Sequence, residues 1–276
     1  MPELPEVETI RRSLEKLILG KQVQSLECFT PEVLENPHNF VMDGSGEYQI
    51  KELARKGKYL RILFEESEIL VHLRMTGKLI YKSAEEFSED GYGPYCRALF
   101  RFSDHSALIF DDIRRFGRIK CLRDPEEDKG YAGLGKDALF LEDSDYPSFN
   151  DELNRHKKAN IKSNLLNQSV LAGLGNIYCD EVLFRAGIRP STRTERISQK
   201  RRKLLFSHIR PLLEEAIGLG GSSFRDYVDG LGKKGNFQLT LAVYQQNGKP
   251  CKICNTPIEK RTLNGRGTHF CPHCQK

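Results

Sequence analysis

The first residues that could carry chemistry stand at the start of the chain, in MPELPEVETIRRSLEKL. In one interpretation, Pro2 and Pro5 only mark the beginning of a helix. In the other, removal of Met1 frees the secondary amine of Pro2, with the carboxyl group of Glu3 beside it. An α-amino group has a pKa near ~8, well below that of lysine, so much of it is unprotonated and nucleophilic at neutral pH. These residue types are therefore compatible with nucleophilic catalysis next to an acid–base group.

A second chemically distinctive set consists of four of the eight cysteines, which form two C-x2-C pairs near the end of the chain. Each C-x2-C turn places two thiolates on one side of a tight bend, and two such bends close a tetrahedron. A four-cysteine site has no open position, so we expect one structural Zn²⁺ that holds a segment too short to bury a core. The predicted ligands are Cys251, Cys254, Cys271 and Cys274.

Between the two cysteine pairs lies LNGRGTH, which predicts a hairpin turn with Arg266 between two glycines. Glycine on each side allows the backbone to come close to another molecule. The alternative is an ordinary exposed turn arginine, which the spacing alone favours.

The opening residues must be held by a helix, because apolar residues recur on one face after MPEL and Gly20 ends the pattern. Pro5 suits the first turn of that helix. Residues 21–125 predict β-structure: KYLRILF, EILVHLRM, RALFRF and ALIFDD alternate or turn back on themselves, and RRFGRIKCL is a further strand candidate. Successive strands without long helices favour a β-sandwich or barrel.

The second half of the chain changes its period. Residues 125–150 are acidic and lack a clear period, which predicts a linker. Helices are predicted over 151–170 and 198–219, with a short helix in LAGLGNIYCDEVLFRAGI between them. The Gly/Ser/Lys-rich stretch 218–237 predicts a long surface loop, and loops of that length are usually functional or disordered.

Charge is divided unevenly along the 276 residues. The net charge of +5 consists of −7 in residues 1–150 and +12 in residues 151–276. A basic half indicates either a polyanionic partner such as nucleic acid or a solvated basic surface. We find no apolar run of membrane-spanning length and no signal peptide, so the expected compartment is the cytosol, with no membrane partner.

Taken together, these stretches resemble the bacterial formamidopyrimidine-DNA glycosylase family (MutM, in the Fpg/Nei superfamily). The resemblance rests on MPELPEVETIRRSL, KGKYL, HLRMTGKL, DDIRRFGRI, AGLGNIYCDEVLFRAGI, GGSS and GRGTHFCPHCQK, which span nearly the whole chain. It implies an α+β fold: an N-terminal two-sheet β-sandwich with an N-terminal helix, then a helical domain with a helix–two-turn–helix and a zinc-ribbon hairpin. The corresponding domains are 1–124, 151–237 and 238–276, with the linker at 125–150.

The resemblance implies a bifunctional DNA glycosylase and abasic-site lyase of base-excision repair. Its partner would be double-stranded DNA that contains 8-oxoguanine or a formamidopyrimidine, and we expect a monomer associated with the bacterial nucleoid. Pro2 would be the nucleophile that forms a Schiff base, and Glu3 the general acid or base. Lys58 and Arg266 would contact phosphate and assist β- and δ-elimination. Without the resemblance, Lys58 would be one more solvated lysine.

An enzyme that acts on a base in a duplex must extrude it and fill the void. By resemblance, Met75 and Phe116 enter the base stack, and Arg114 faces the orphaned cytosine. Flexible Met and flat Phe suit partial unstacking, and Arg can pair with a base edge. For an isolated apolar residue in a strand pattern, however, core packing is the ordinary alternative.

Further residues resemble contacts to the DNA backbone: His72, Lys157 and Asn176. Lys158 could serve in place of Lys157, Asn176 could simply cap a helix, and His72 could be a satisfied strand histidine.

The match is incomplete at a few positions. Tyr95 stands where the family usually has a DNA-contacting histidine, and Gln245 and Gln246 stand where it has glycine and a basic residue. Two alternatives stay open: a glycosylase of the same superfamily specific for oxidised pyrimidines, and a non-catalytic paralogue that binds damaged DNA.

Overall fold

The computed structural model describes residues 1–37, 48–88, 92–224 and 227–276. Contacts divide the chain into two compact units. The N-terminal unit comprises Met1–Ala132 and Leu219–Asn236, and the C-terminal unit comprises Gly133–Gly218 and Phe237–Lys276. The domain boundaries drawn from the sequence at 124, 150 and 237 remain predictions, and the contacts group the chain in a different way.

The N-terminal unit begins with helix α1, Leu4–Ile18, as the apolar pattern predicts. A reciprocal capping box between Glu3 and Glu6 satisfies the first backbone N–H groups, and Pro5 lies in the first turn, where its missing N–H has no cost. The apolar stripe of the helix lies in the same core as the inward faces of the strands.

Two sheets complete this unit and confirm the predicted two-sheet architecture. The strands are β1 Val23–Cys28, β2 Leu34–Glu35, β3 Glu52–Lys56, β4 Tyr59–Leu63, β5 Glu68–His72, β6 Lys78–Lys82, β7 Cys96–Phe102, β8 Ala107–Asp111 and β9 Arg118–Leu122. The first sheet has the order β1-β7-β8-β6 and is antiparallel. The second has the order β2-β9-β5-β4-β3, with only β2 and β9 parallel.

The strand expected in RRFGRIKCL is wrong in its first part, because β9 begins only at Arg118. The preceding residues form a turn in which Arg115 has a φ of 58°, a left-handed conformation that a strand cannot contain. A short helix α2, Lys129–Ala132, ends the first part of this unit.

The C-terminal unit is helical. The single helix predicted over 151–170 is wrong: α3 starts earlier, inside the predicted linker, and residues 156–160 separate it from α4. The Asn160 side chain accepts the N–H of Ser163 at 2.9 Å and so starts a new helix at that point. The helices are α3 Tyr146–Arg155, α4 Ile161–Leu166, α5 Asn176–Arg185 and α6 Gln199–Gly218.

The same unit ends in a β-hairpin of strands β10, Glu259–Leu263, and β11, Arg266–Phe270. Asn264 and Gly265 join them with φ angles of 49° and 73°, the conformation that Asn-Gly favours in two-residue hairpins. None of the helices in the described parts of the chain combines the length and the apolar character needed to cross a bilayer.

Candidate functional site

The chain start is packed into the N-terminal unit. Pro2 is buried while Met1 is 41% exposed, so removal of Met1 would uncover the Pro2 nitrogen without disturbing the core. Glu3 is buried, and its N–H donates to Oε2 of Glu6 at 2.8 Å. Because α1 is capped by these two glutamates, the helix fixes the position of Glu3 and of Pro2, which precedes it.

The second carboxylate oxygen of Glu6 reaches the other part of this unit, segment 219–236. Oε1 accepts the N–H of Ser222 at 2.7 Å, and the Tyr227 hydroxyl donates to Gly220 O at 3.1 Å. A Cβ on Gly221 would lie 3.0 Å from Glu6 Oε1, and its φ of +78° also favours glycine. GGSS therefore fits closely over the chain start. Residues 225 and 226 of the predicted surface loop lie outside the described residues.

Lys58 lies in the two-residue turn between β3 and β4, and it is only 8% exposed. Arg55 holds this turn, since its guanidinium donates to Gly57 O and to Glu8 Oε2, both at 2.9 Å. Burial raises the pKa of Glu8, but the hydrogen bonds from Arg11, Arg12 and Arg55 outweigh it, so the pKa lies below its usual range. An ionised Glu8 on α1 therefore anchors the turn that carries Lys58.

His72, at the end of β5, is held neutral with a defined tautomer. Burial, together with the cations of Arg74 and Lys58, lowers its pKa from 6.5 to about 3. The N–H of Arg74 donates to Nδ1 at 3.0 Å, so the proton is on Nε2. The Tyr59 ring meets the imidazole edge-to-face at 4.6 Å. His72 can therefore offer a neutral Nε2–H donor to an anion at neutral pH.

Met75 and Phe116 lie in loops and are 41% and 48% exposed, so neither belongs to the core. The guanidinium of Arg114 lies 4.7 Å from the Phe116 ring centroid in a cation–π contact. The Arg114 N–H donates to Thr76 Oγ1 at 3.3 Å, so the two loops adjoin. Two large exposed apolar side chains and a cation on adjoining loops are of the kind that can enter a base stack.

The four predicted metal ligands come together in the C-terminal unit, with all four Sγ atoms within 4.8 Å of one another. The Sγ atoms of Cys254 and Cys271 are 3.5 Å apart, and those of Cys251 and Cys274 are 4.0 Å apart. A tetrahedron with Zn–S bonds near 2.3 Å has S–S edges of about 3.8 Å, so the cluster fits one Zn²⁺. The predicted structural zinc site is confirmed.

Arg266 is the first residue of β11 and its side chain is exposed. Asn176, the first residue of α5, donates its Nδ2 to Gly267 O at 2.9 Å, which brings it next to Arg266. Lys157 is exposed in the turn after α3. The C-terminal unit thus brings Asn176 and Arg266 together, with Lys157 on a separate turn.

Two buried acids of this unit were assigned no function from the sequence. Asp180 binds Lys162 Nζ at 2.7 Å and accepts the His269 N–H at 2.8 Å. Glu181 accepts the three successive N–H groups of residues 242–244, each within 2.9 Å. The only signal in the sequence was the Asp-Glu pair within the largely apolar NIYCDEVLF, because the groups that bond to these two acids are distant in the sequence.

Comparison with protein-family models gives three successive matches. Residues 1–119 match the formamidopyrimidine-DNA glycosylase N-terminal domain, and residues 134–228 match the formamidopyrimidine-DNA glycosylase H2TH domain. Residues 248–276 match the zinc finger found in FPG and IleRS.

Full-length relatives agree with these matches. The chain is 41% identical to formamidopyrimidine-DNA glycosylase of Geobacillus kaustophilus over 281 residues, which cover all of both chains. The structure of Lactococcus lactis Fpg with DNA containing an abasic site is similar, with 36% identity, a TM-score of 0.88 and full coverage of both chains. MutM in complex with DNA containing carbocyclic 8-oxo-G gives a TM-score of 0.87 at 36% identity, again with full coverage.

Proposed function

The chain belongs to the formamidopyrimidine-DNA glycosylase family, and from this premise we propose how its own residues excise an oxidised purine from duplex DNA and cleave the strand. The substrates are duplexes that carry 8-oxoguanine or a formamidopyrimidine, and the abasic sites that follow their removal. The observation that carries the proposal is the buried Pro2 just before a capped helix, followed in the sequence by the buried acid Glu3.

The nucleophile must be the free amine of Pro2. While Met1 is attached, the Pro2 nitrogen belongs to an amide, and its lone pair is delocalised into the carbonyl group. After Met1 is removed, that lone pair can attack C1′ of the damaged nucleotide, and the C1′–N bond to the base breaks. The base leaves with a proton, for which Glu3 is the nearest acid in the sequence. The amine loses its proton and the sugar ring opens, which leaves an iminium ion between Pro2 and C1′.

The iminium ion makes strand cleavage possible because it acidifies the C2′ proton. Loss of that proton expels the 3′ phosphate by β-elimination, and a second elimination expels the 5′ phosphate. Water then adds to C1′ of the remaining iminium ion, and loss of the amine frees Pro2 and an aldehyde. We assign Lys58 and Arg266 to the phosphates that leave, since a cation stabilises the negative charge that develops on each of them.

The remaining predicted residues bind DNA without reacting. His72 offers its Nε2–H, and Lys157 and Asn176 offer further donors to the backbone, which positions the duplex without reading its sequence. Met75 and Phe116 fill the space of the extruded base, and Arg114 pairs with the opposite cytosine. The zinc contributes folding energy and no chemistry, since its four protein ligands leave no open position.

The cellular location follows from the substrate. All the relatives named above are bacterial or act on DNA, which supports a place in the bacterial cytoplasm, at the nucleoid.

Borohydride trapping tests the nucleophile. The protein, with Met1 removed, is incubated with a duplex that contains 8-oxoguanine opposite cytosine, reduced, and digested for peptide mapping. We expect an adduct on the peptide that begins with Pro2. Pro2→Gly should trap much more slowly while it retains most of its DNA affinity, and Pro5→Ala, the matched change at the neighbouring proline, should trap like the unchanged protein. Trapping by Pro2→Gly at the unchanged rate would refute the assignment.

A second duplex tests the substrate. An adduct on thymine glycol but none on 8-oxoguanine would retain the mechanism and show that oxidised pyrimidines are preferred. Tight binding to both duplexes without an adduct or cleavage would show a damage-binding protein without catalytic activity.

A further inference from the structure

We propose that Asp112 is the positioning residue that joins the two loops of the base-extruding wedge, so that Met75, Arg114 and Phe116 enter the duplex as one unit. The first wedge loop is residues 73–77, and the second is residues 112–117. This inference rests on the proposed function.

Both loops are bonded to the same carboxylate. Asp112 is fully buried, and its Oδ1 accepts the hydroxyl of Thr76 from the first loop. The same oxygen accepts the Arg114 N–H at 3.1 Å, and Oδ2 accepts the Gly117 N–H at 2.7 Å. One buried acid therefore binds the residue after Met75 and two backbone groups on either side of Phe116. We call Asp112 and its hydrogen bonds to the two loops the junction. Hydrogen bonds to a charged acceptor are about twice as strong as neutral ones, so this junction is stiff.

Asp112 is itself held by its main chain. Its N–H donates to Tyr95 O at 2.9 Å, and its carbonyl oxygen accepts Nε of Arg97 at 2.8 Å. Arg97 belongs to β7, inside the four-stranded sheet. The carboxylate therefore transfers the rigidity of a sheet to two loops that have no regular structure.

Each loop contains a residue in a costly conformation next to a wedge residue. Arg74, just before Met75, has a φ of 52°, and Arg115, between Arg114 and Phe116, has a φ of 58°. Non-glycine residues occupy this region only when their surroundings impose it, and such positions cluster at functional sites. In the second loop, Asp112 accepts the N–H groups of Arg114 and Gly117 and so holds the backbone on both sides of Arg115, and the Arg114 N–H also contacts Thr76 Oγ1 at 3.3 Å.

Close packing leaves the loops little freedom to shift. A Cβ on Gly117 would lie 2.5 Å from the Phe110 ring, and one on Gly77 would lie 2.5 Å from Leu73 O. Glycine is therefore required at the end of both loops. The shape of the wedge is set before DNA arrives, which lowers the entropy lost on insertion.

This role makes a specific kinetic prediction. A wedge is needed to open an intact base stack, whereas a duplex with a preformed abasic site has no base to extrude. Loss of the junction should therefore slow excision of 8-oxoguanine and leave strand cleavage at an abasic site much less affected. A residue that only supports folding would reduce both activities together.

Asp112→Asn is the direct test, because the amide keeps the size of the side chain and replaces one acceptor oxygen by a donor. We expect excision of 8-oxoguanine opposite cytosine to slow by about 10- to 100-fold, the range for hydrogen bonds to a charged group. Cleavage of an abasic duplex should change by less than about 3-fold, as should its binding. Asp111→Asn, a change in the neighbouring carboxylate that bonds neither loop, is the matched control and should excise normally.

Thr76→Val and Thr76→Ser form a second test that does not depend on the folding of Asp112→Asn. Valine keeps the shape but loses the hydroxyl, which donates to Asp112 and accepts the Arg114 N–H at 3.3 Å, so it should show the same selective defect to a smaller degree. Serine keeps the hydroxyl and should recover most of that loss. The fluorescence of a base analogue placed beside the lesion reports insertion of the wedge directly. The fluorescence change on binding should be smaller with Thr76→Val than with the unchanged protein.

The outcomes separate this inference from the proposed function. No Pro2 adduct in the unchanged protein would refute the function. Trapping by the unchanged protein, together with normal excision by both Asp112→Asn and Thr76→Val, would refute the role of Asp112. An equal loss of both activities in these variants, with Thr76→Ser no better than Thr76→Val, would refute it as well.

Discussion

The strand that carries Arg266 depends on a buried ion pair, and we expect its disruption to be costly. Lys162 Nζ binds Asp180 Oδ1 at 2.7 Å, and the two side chains are 1% and 0% exposed. The same ammonium donates to Thr268 Oγ1 at 2.9 Å and to Gly267 O at 3.3 Å, directly after Arg266. Asp180 also accepts the His269 N–H. The pair therefore joins α4, α5 and β11 within the C-terminal unit.

Lys162→Met keeps the length of the side chain and removes its charge. Asp180 would then be a buried carboxylate without its cation, and breaking such a pair from one side costs about 3–5 kcal/mol. We expect the free energy of unfolding of the C-terminal unit to fall by about that amount. Adding Asp180→Asn removes the uncompensated charge while an amide oxygen still accepts the His269 N–H, so the double variant should recover about half of the loss.

Urea unfolding followed by far-UV circular dichroism, with zinc release recorded in parallel, measures this effect. Lys158→Met, at an exposed lysine, is the matched control and should change stability by less than about 0.5 kcal/mol. If Lys162→Met lies within about 1 kcal/mol of the unchanged protein, the reasoning is wrong. It is also wrong if the double variant is no more stable than the single one.

Three further predictions concern the zinc, the histidine and the wedge. Cys254→Ser should lose zinc and bind DNA more weakly, whereas metal analysis of Cys28→Ser, a change outside the cluster, should find one zinc per chain. A full zinc content in Cys254→Ser would contradict the proposed site. The pKa of His72 is lowered to about 3, chiefly by burial. Below pH 6.5 the unfolded chain therefore binds a proton at His72 that the native state does not bind. The contribution of His72 to the free energy of unfolding should therefore be complete above pH 6.5 and fall at lower pH by up to about 1.4 kcal/mol per pH unit. Urea unfolding at pH 7 and pH 5 should show a smaller loss of stability in His72→Gln than in the unchanged protein. Phe116→Ala should change stability by less than about 1 kcal/mol because the ring lies outside the core. It should slow excision in single-turnover assays by about 5- to 100-fold, the range for lost base stacking. Normal excision would show that Phe116 is not part of the wedge.

The sequence predicted those features whose signals are local. The apolar stripe and the Pro-Glu start defined α1, and the two C-x2-C turns defined the metal site, because neighbouring residues determine both. The break at 156–160 was missed, since Asn160 was counted within a helical run although it caps a new helix. The second wedge loop was likewise assigned to a strand, because the pattern of residue types does not show that Asp112 accepts the N–H groups of Arg114 and Gly117 and so closes a turn.

Four buried acids explain how short loops can hold reactive or DNA-binding groups in fixed positions. Sequence analysis passed over these acids or left them without a definite role. Glu6 bonds the chain start and Ser222, and Glu8 holds the Lys58 turn through Arg55. Asp112 joins the wedge loops, and Asp180 bonds the strand of Arg266. Each acid is at most 4% exposed and is satisfied by N–H groups or cations. The acidic balance of residues 1–150 therefore does not argue against DNA binding by that half, since some of its carboxylates face inward and are already paired.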